Sequence, residues 1–239
     1  MARGDVFVHA FPHDGEASYY PDAGLFRAVL DVAKRLSAEV GVKPPTAVSQ
    51  RDVPGWTIGA LHLLKEAGIN GLSFGAGTPP GKPDVPPLCV WRDEVTDSEV
   101  VLTYETAYGT DHTVFVLPNG VALTAAWEGD NTGPALVKDV EGFYAYLRRK
   151  FPGADVKAST FDAFFDIANE PAVKKLLPVV TKEIEDGWIY GVASDPLKNS
   201  QFRAASRLRL ACVEGGECDT ASAAMRAADR LLVKVPEHI

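Results

Sequence analysis

Apolar and polar residues follow strand-like and helix-like periods in turn along the first third of the chain. Asp5 to Phe11 is typical of a strand, and residues 22 to 40 then carry apolar side chains at helical spacing, namely Leu25, Val29, Val32, Leu36 and Val40. The alternation continues with a strand at 46 to 49, a helix at about 57 to 67 and a strand at Gly71 to Gly75. This rhythm predicts consecutive βα units of a barrel or a doubly wound sheet.

A proline-rich stretch separates these units from a β-rich region. Ala76 to Pro87 contains five prolines, which predicts an irregular loop. The strand patterns beyond it are Leu88 to Trp91, Val100 to Tyr104, Thr113 to Leu117 and Val121 to Trp127. Pro118-Asn119-Gly120 is a strong hairpin signal between the last two. We interpret residues 88 to 127 as a β-rich insertion on the α/β body.

The α/β alternation then resumes. It predicts a helix at about 138 to 150, a strand at Asp155 to Ala158 and a helix at 161 to 168 that Ser159-Thr160 would cap. Trp188 to Val192 is a further aromatic and β-branched run, typical of a strand.

Two long helical patterns close the chain, at Asp195 to Val213 and Thr220 to Val233, on either side of Gly215-Gly216. The predicted apolar seams are Ala205, Leu208 and Cys212 on one helix and Ala221, Ala224, Ala228 and Leu231 on the other. This arrangement predicts an antiparallel helical hairpin.

Composition narrows the class of partner. The chain has 239 residues, of which 46% are hydrophobic, enough to fill a sizeable core. Its 24 basic and 32 acidic residues give a net charge of −8, which argues against nucleic acid or an anionic membrane as the main partner. No apolar run reaches the length of a membrane span, and no signal-peptide core is present. Because the chain starts within a predicted strand, the compartment stays open.

The three cysteines do not predict a disulfide framework. Cys89 stands alone, and Cys212 and Cys218 are six positions apart. Free buried thiols are the favoured interpretation, with a local bridge between Cys212 and Cys218 as the alternative.

Asp52 is the main candidate for chemistry. It follows the predicted strand at 46 to 49 and precedes a helix, and strand ends of this kind carry the active sites of α/β proteins. A helix cap is the alternative role for such an aspartate. His9 and His13 lie with Asp14 and Glu16 at the end of the first predicted strand, as an active-site rim or as a solvated turn.

Several common catalytic motifs are absent. The glycine-rich stretch at 75 to 83 lacks the glycine and the Ser or Thr that a phosphate loop needs, because Ala76 and Pro83 occupy those positions. The sequence has no HExxH, CxxC or Gly-x-Ser-x-Gly pattern, so zincin, zinc-ribbon and α/β-hydrolase chemistry lose their usual support.

Four ordered motifs resemble those of one enzyme family. They are His9-Ala10-Phe11-Pro12, Asp52-Val53-Pro54-Gly55, the run Glu183-Ile184-Glu185-Asp186-Gly187-Trp188, and Ser194-Asp195-Pro196-Leu197-Lys198. Val235-Pro236-Glu237-His238 fits the same pattern near the end of the sequence. Together they resemble a divergent branch of glycoside hydrolase family 38, the α-mannosidases, over nearly the whole chain.

The resemblance implies a fold. It implies a (β/α)₇-type barrel, incomplete at its N-terminus, over residues 1 to 194, with the β-hairpin insertion inside it. Residues 195 to 239 would begin a helical region with the C-terminal helical hairpin. The chain would therefore be part of a longer architecture.

The resemblance also implies a site for a carbohydrate substrate, with zinc as cofactor. Asp52 would be both nucleophile and zinc ligand, and His238 a further candidate ligand. Glu183, Glu185 and Asp186 are the candidate acid/base residues, of which Asp186 is the best placed. A retaining glycosidase needs its two carboxyl groups about 5 Å apart. The implied substrate-binding residues are His9, His13, Glu16, Arg51, Trp56, Trp188, Tyr190 and Asp195.

The chain departs from this family at several positions. No His-x-Asp strand precedes residue 5, so two expected zinc ligands are absent from the sequence. Glu185 and Gly187 replace the usual Gly and Thr of the family around Asp186. Gly77 lies near the position where the family commonly has Asn. Two alternatives therefore stay open: a metal-dependent hydrolase of the polysaccharide deacetylase type that uses His9 and His13, and a non-catalytic carbohydrate-binding remnant.

Overall fold

The computed structural model describes residues 7–53, 56–76, 84–105, 113–125, 132–184 and 195–237. These residues form seven α-helices, which are α1 (Ala23–Glu39), α2 (Leu61–Glu66), α3 (Val137–Lys150), α4 (Phe161–Ala168), α5 (Pro171–Lys174), α6 (Pro196–Glu214) and α7 (Ala223–Leu232). The strands are β1 (Ala47–Asp52), β2 (Gly71–Ala76), β3 (Leu88–Asp93), β4 (Ser98–Glu105), β5 (Val114–Val116), β6 (Ala122–Thr124) and β7 (Val179–Val180). Short 3₁₀ helices occur at Pro12–Asp14, Ala17–Tyr19 and Ile58–Ala60.

A five-stranded mixed sheet organises the fold, in the order β1-β2-β4-β3-β7. β1, β2 and β4 are parallel to one another, whereas β3 is antiparallel to β4 and β7 is parallel to β3. β5 and β6 pair separately as an antiparallel hairpin, as the Pro118-Asn119-Gly120 signal predicts. The chain is thus a mixed α/β protein with a run of parallel strands at one side of its sheet.

Both faces of this sheet are covered. The helices α1 and α2 pack on what we call the first face, whose buried residues include Leu25, Val29, Leu61, Leu64, Leu72, Phe74 and Leu102. The helix α4 and the β5–β6 hairpin pack on the second face, with Ala47, Val101, Phe115, Phe164 and Phe165. Alternate residues of each strand point to opposite faces, so one strand supplies both layers.

Local side-chain caps mark the first turn of several helices. Asp22 Oδ1 accepts a hydrogen bond from the Leu25 amide at 2.8 Å, and Thr160 Oγ1 accepts one from Ala163 at 3.2 Å. The prediction of a cap at Ser159-Thr160 is therefore confirmed at Thr160. Asp195 caps α6 in the same way, through the Lys198 amide at 2.9 Å.

The sheet corrects the predicted architecture. The described residues form no closed barrel; their sheet is open, with β1 and β7 at its two edges. β3 and β4 are strands of the main sheet, whereas β5 and β6 form a separate hairpin. The boundary predicted near residue 194 lies outside the described residues.

Two of the predicted strands are wrong: the described residues of these segments are not strands in the structure. Residues 7 to 11 form no strand, although the Ala10 amide donates to Ala47 O at 3.2 Å and so lies beside β1. Asp155 to Ala158 is also not a strand, because the segment is largely exposed and pairs with no neighbour in the described sheet. The strand predicted at Trp188 to Val192 lies outside the described residues.

Both predicted C-terminal helices are present as α6 and α7, but their buried faces differ from the predicted seams. α6 buries Asn199, Phe202, Ser206 and Arg209, whereas Leu208 is 73% exposed. Cys212 and Cys218 form a disulfide, with Cα atoms 5.2 Å apart, so the expectation of free thiols is wrong for this pair. Cys89 is free and buried.

Gly71 has a packing role on the second face. A Cβ at this position would lie 2.6 Å from the Phe165 Cβ, and still closer to the phenyl ring. Gly71→Ala is therefore expected to lower the free energy of unfolding by about 1–3 kcal/mol, measured by urea denaturation. Gly142→Ala on α3 is the matched control, because no heavy atom lies within 4 Å of its added Cβ. Equal stabilities of the two variants would contradict this packing role.

Candidate functional site at the carboxyl edge of the sheet

The three parallel strands end at one edge of the sheet. In register, Asp52 of β1 lies beside Ala76 of β2, and Gly75 lies beside Glu105 of β4. Ligands of open α/β sheets bind outside this carboxyl edge. Asp52 is thus at the end of a parallel strand, as the sequence predicts.

Asp52 has an unusual backbone conformation. Its φ is +70°, in the left-handed region that residues with a Cβ rarely occupy. Such a conformation costs on the order of 1–3 kcal/mol and persists only where the surroundings enforce it. His13 and Asp14 also have positive φ, at 69° and 42°. Strained backbone therefore occurs both at Asp52 and in the segment from His9 to Glu16.

The structure does not favour the helix-cap alternative for Asp52. The 3₁₀ helix Ile58–Ala60, which leads into α2, is capped by Thr57, whose Oγ1 accepts from the Gly59 amide at 3.3 Å. Glu183 accepts from the Ile58 amide at 2.9 Å. These two side chains occupy the helix start.

Arg51 is buried on the second face, directly before Asp52. Its Nη1 donates to Gln50 O at 2.8 Å and to Ser73 O at 3.1 Å, and its Nη2 donates to Ser73 Oγ at 3.1 Å. Nη2 also lies 3.9 Å from Glu105 Oε1. Burial lowers the pKa of Arg51, an effect that the charges of Glu105 and Asp14 oppose.

Gln50 makes the equivalent connections on the first face. Its Nε2 donates to Gly15 O at 2.7 Å, and its Oε1 accepts from Trp56 Nε1 at 2.5 Å. Trp56 is only 1% exposed and contacts the ring of Phe11 at 5.1 Å. Trp56 therefore supports the end of β1 from the core, and a sugar has no access to its ring in this conformation.

The segment from His9 to Glu16 reaches the same edge of the sheet. Gly15 contacts Gln50, and the Glu16 amide donates to Pro236 O at 2.9 Å. His13, Asp14 and Glu16 are half-buried there. The residues before Asp52 and the residues after the first predicted strand are thus neighbours in space.

His9 is enclosed by aromatic groups near Arg51. Its ring centroid lies 5.0 Å from that of Phe7 and 5.6 Å from that of Phe161. Its Nδ1 is buried and has no hydrogen-bond partner among the described residues. Burial, and secondarily the charge of Arg51, lower the pKa of His9.

The lowered pKa of His9 predicts a pH dependence of stability. At a pH below 6.5, the ordinary pKa of histidine, the unfolded chain binds a proton at His9 that the folded chain does not bind. The free energy of unfolding should therefore fall as the pH drops from about 7.5 to about 5.5. His9→Gln should remove this contribution and flatten the curve, as measured by urea denaturation over that range. Parallel curves for the wild type and His9→Gln would exclude a contribution of His9 to the pH dependence.

Glu183 brings two of the sequence motifs together. Its carboxylate accepts from the Ile58 amide and from Thr57 Oγ1 at 3.2 Å, so the chain after Asp52 contacts the chain that leads to Asp186. Asp195 is exposed and serves as the cap of α6. Asp186, Trp188, Tyr190 and His238 lie outside the described residues.

The described residues do not assemble the implied zinc site. No three His, Cys, Asp or Glu side chains come together in that part of the chain in a way that would hold a metal ion. Asp52 is described, but the other candidate ligand, His238, is not. Zinc therefore stays a prediction.

Sequence reasoning missed the groups that hold Arg51. Ser73 is a buried polar residue inside β2, and Glu105 is a buried carboxylate at the last position of β4. The sequence offers as a signal only the presence of these polar residues within strand patterns. Their pairing with Arg51 depends on the order of β1, β2 and β4 in the sheet.

Comparison with known proteins adds no family. No protein-family model matches the chain. No curated protein sequence matches it either. Among the described helices, none is both long and apolar enough to cross a membrane. The resemblance to the α-mannosidases rests on the sequence motifs alone.

Proposed function

We propose that this chain is the α/β part of a glycoside hydrolase of the α-mannosidase type, with Asp52 as the nucleophile. In this proposal the substrate is a carbohydrate bound at the carboxyl edge of β1, β2 and β4. The observation that carries the proposal is the position of Asp52, in left-handed backbone at the end of β1.

The surroundings of Asp52 support a built site. Gln50 and Arg51, the two residues before it, are hydrogen-bonded on opposite faces of the sheet. The polar residues His13, Asp14 and Glu16 lie nearby and are half-buried. Catalytic groups require this kind of rigid support, because small displacements of a reacting group are costly to rate.

The contact of Glu183 with Thr57 and Ile58 also supports the proposal. It joins the segment after the nucleophile to the segment that leads to Asp186. A retaining glycosidase needs its second carboxyl group close to the first, so convergence of these segments is expected.

The chemistry follows from the two carboxyl groups. The Asp52 carboxylate attacks the anomeric carbon while the acid, assigned to Asp186, protonates the leaving glycosidic oxygen. Asp186 then removes a proton from the water that hydrolyses the glycosyl–Asp52 ester, and the anomeric configuration is retained.

Hydrolysis of aryl glycosides tests the proposal. The chain should release the aryl group from an α-mannoside faster than from the β-mannoside or the α-glucoside, with NMR showing retained configuration of the first-formed sugar. The activity should be assayed with and without added Zn²⁺, and zinc content measured by mass spectrometry. Absence of glycoside hydrolysis under both conditions would contradict the proposal.

The same preparation separates the alternatives. Release of acetate from an acetylated polysaccharide would identify a deacetylase, for which His9 and His13 are the candidate ligands. Mannose-dependent NMR shifts without hydrolysis would identify a non-catalytic carbohydrate-binding protein.

A further inference from the structure

A buried ion pair lies directly behind Asp52. The side chains of Arg51 and Glu105 are 7% and 2% exposed, and Arg51 Nη2 lies 3.9 Å from Glu105 Oε1. Removing two charges from water is costly, and a well-packed apolar pair of similar volume is often as stable or more stable. Stability alone therefore does not account for this pair.

The register of the sheet explains how the pair forms. Arg51, Gly75 and Glu105 lie in one row across β1, β2 and β4. Because Gly75 has no side chain, the Arg51 side chain can cross β2 toward Glu105. On the way its guanidinium donates to Ser73 O and Ser73 Oγ. One side chain thus connects all three parallel strands.

Asp52 is the residue that this connection constrains most directly. It follows Arg51 in β1, and its φ of +70° requires support from its surroundings. Gln50 fixes the strand end from the first face, through Gly15 and Trp56. The Arg51–Glu105 pair fixes it from the second face.

We infer that Arg51 and Glu105 are positioning residues: the pair holds the end of β1 so that Asp52 keeps its left-handed backbone and its carboxylate stays directed at the substrate. This inference rests on the proposed function in so far as it concerns catalysis. Its effect on the backbone of Asp52 is independent of the reaction.

The double variant Arg51→Met/Glu105→Leu tests this role. It removes both charges together, so neither partner is left buried and unpaired, and it should remain folded. We expect kcat for the aryl α-mannoside to fall by about 10²-fold, with KM within about 3-fold, because a misplaced nucleophile slows the chemical step. The single variant Arg51→Lys keeps the positive charge but loses the planar guanidinium. Its kcat should therefore lie between those of the double variant and the wild type.

A matched control is the exposed ion pair between α1 and α2. Arg27 Nε lies 2.8 Å from Glu66 Oε2, and both side chains are about half exposed. Arg27→Met/Glu66→Leu removes the same charges at the surface of the protein, and should leave kcat and KM unchanged.

NMR of ¹³C-labelled aspartate gives a readout that does not depend on activity. In Arg51→Met/Glu105→Leu the Cα and Cβ shifts of Asp52 should move toward extended-strand values, whereas in the control they should not move. Unchanged Asp52 shifts would overturn the inference, as would changed shifts with unchanged kcat.

If the wild-type chain hydrolyses no glycoside, the proposed function fails, and the Asp52 shifts alone decide the positioning role. If the double variant does not fold, Arg51→Lys and Glu105→Gln provide the same two readouts.

Discussion

Asp52→Asn is expected to lower kcat for the proposed glycoside hydrolysis by about 10³-fold or more. The amide is nearly isosteric with the carboxylate but is neutral, and it forms no glycosyl ester with the anomeric carbon. Asparagine also tolerates the left-handed region, so the backbone at φ +70° should be retained. The loss should therefore come from the chemistry and not from the fold. Steady-state kinetics with the aryl α-mannoside measure it.

Asp97→Asn is the matched control for this variant. Asp97 is also an aspartate with positive φ, at 49°, but it lies in the turn between β3 and β4. The substitution makes the same change of atoms in a similar backbone conformation, and kcat should be unchanged. A kcat for Asp52→Asn within about 10-fold of the wild-type value would exclude Asp52 as the nucleophile.

The local part of the fold was predictable from the sequence. The helix α1 and the strands β1, β2 and β4 follow from residue periodicity, and Thr160 acts as the predicted cap. The order of strands was not predictable in this way. β7 has only two residues, Val179 and Val180, and it pairs with Val90 and Trp91, which are far away in sequence. No local pattern encodes a pairing of this kind.

The candidate site was predictable to a similar extent. The position of Asp52 at a strand end follows from the local pattern. The role of Trp56 does not, because an aromatic residue beside a strand end is equally suited to stacking on a sugar and to packing in a core. The contact of the Trp56 ring with Phe11 and the hydrogen bond of Trp56 to Gln50 show that it packs in the core. Glu105 was missed because its partner Arg51 lies two strands away.

Helix α6 shows a different limit of periodicity. The predicted apolar seam of α6 includes Leu208, but Leu208 is exposed in the structure. The buried side of the helix includes Arg209 instead. Arg209 Nε donates to Asp229 Oδ1 at 2.5 Å, and Nη2 donates to Oδ2 at 3.0 Å. Because burial is achieved here by a paired charge, a hydrophobic pattern does not detect it.

Breaking the buried Arg209–Asp229 pair is expected to lower the stability of the protein strongly. The two side chains are 6% and 10% exposed. The hydrogen bond from Arg209 to Asp229 raises the pKa of Arg209, in opposition to burial. Asp229→Ala would leave the guanidinium buried without this partner, at a cost of about 3–5 kcal/mol. For a chain of this size, that loss corresponds to a fall in Tm of about 10 °C, measurable by calorimetry.

A second variant separates the lost partner from the lost packing. Arg209→Met/Asp229→Leu removes both charges and keeps apolar volume, so it should recover most of the stability that Asp229→Ala loses. Glu66→Ala serves as the exposed control, since Arg27 stays solvated when Glu66 is removed, and its Tm should match the wild-type value. A Tm for Asp229→Ala equal to that of Glu66→Ala would mean that water replaces the carboxylate. Arg209 would then not be a buried charge, and α6 would not depend on the pair for its contact with α7.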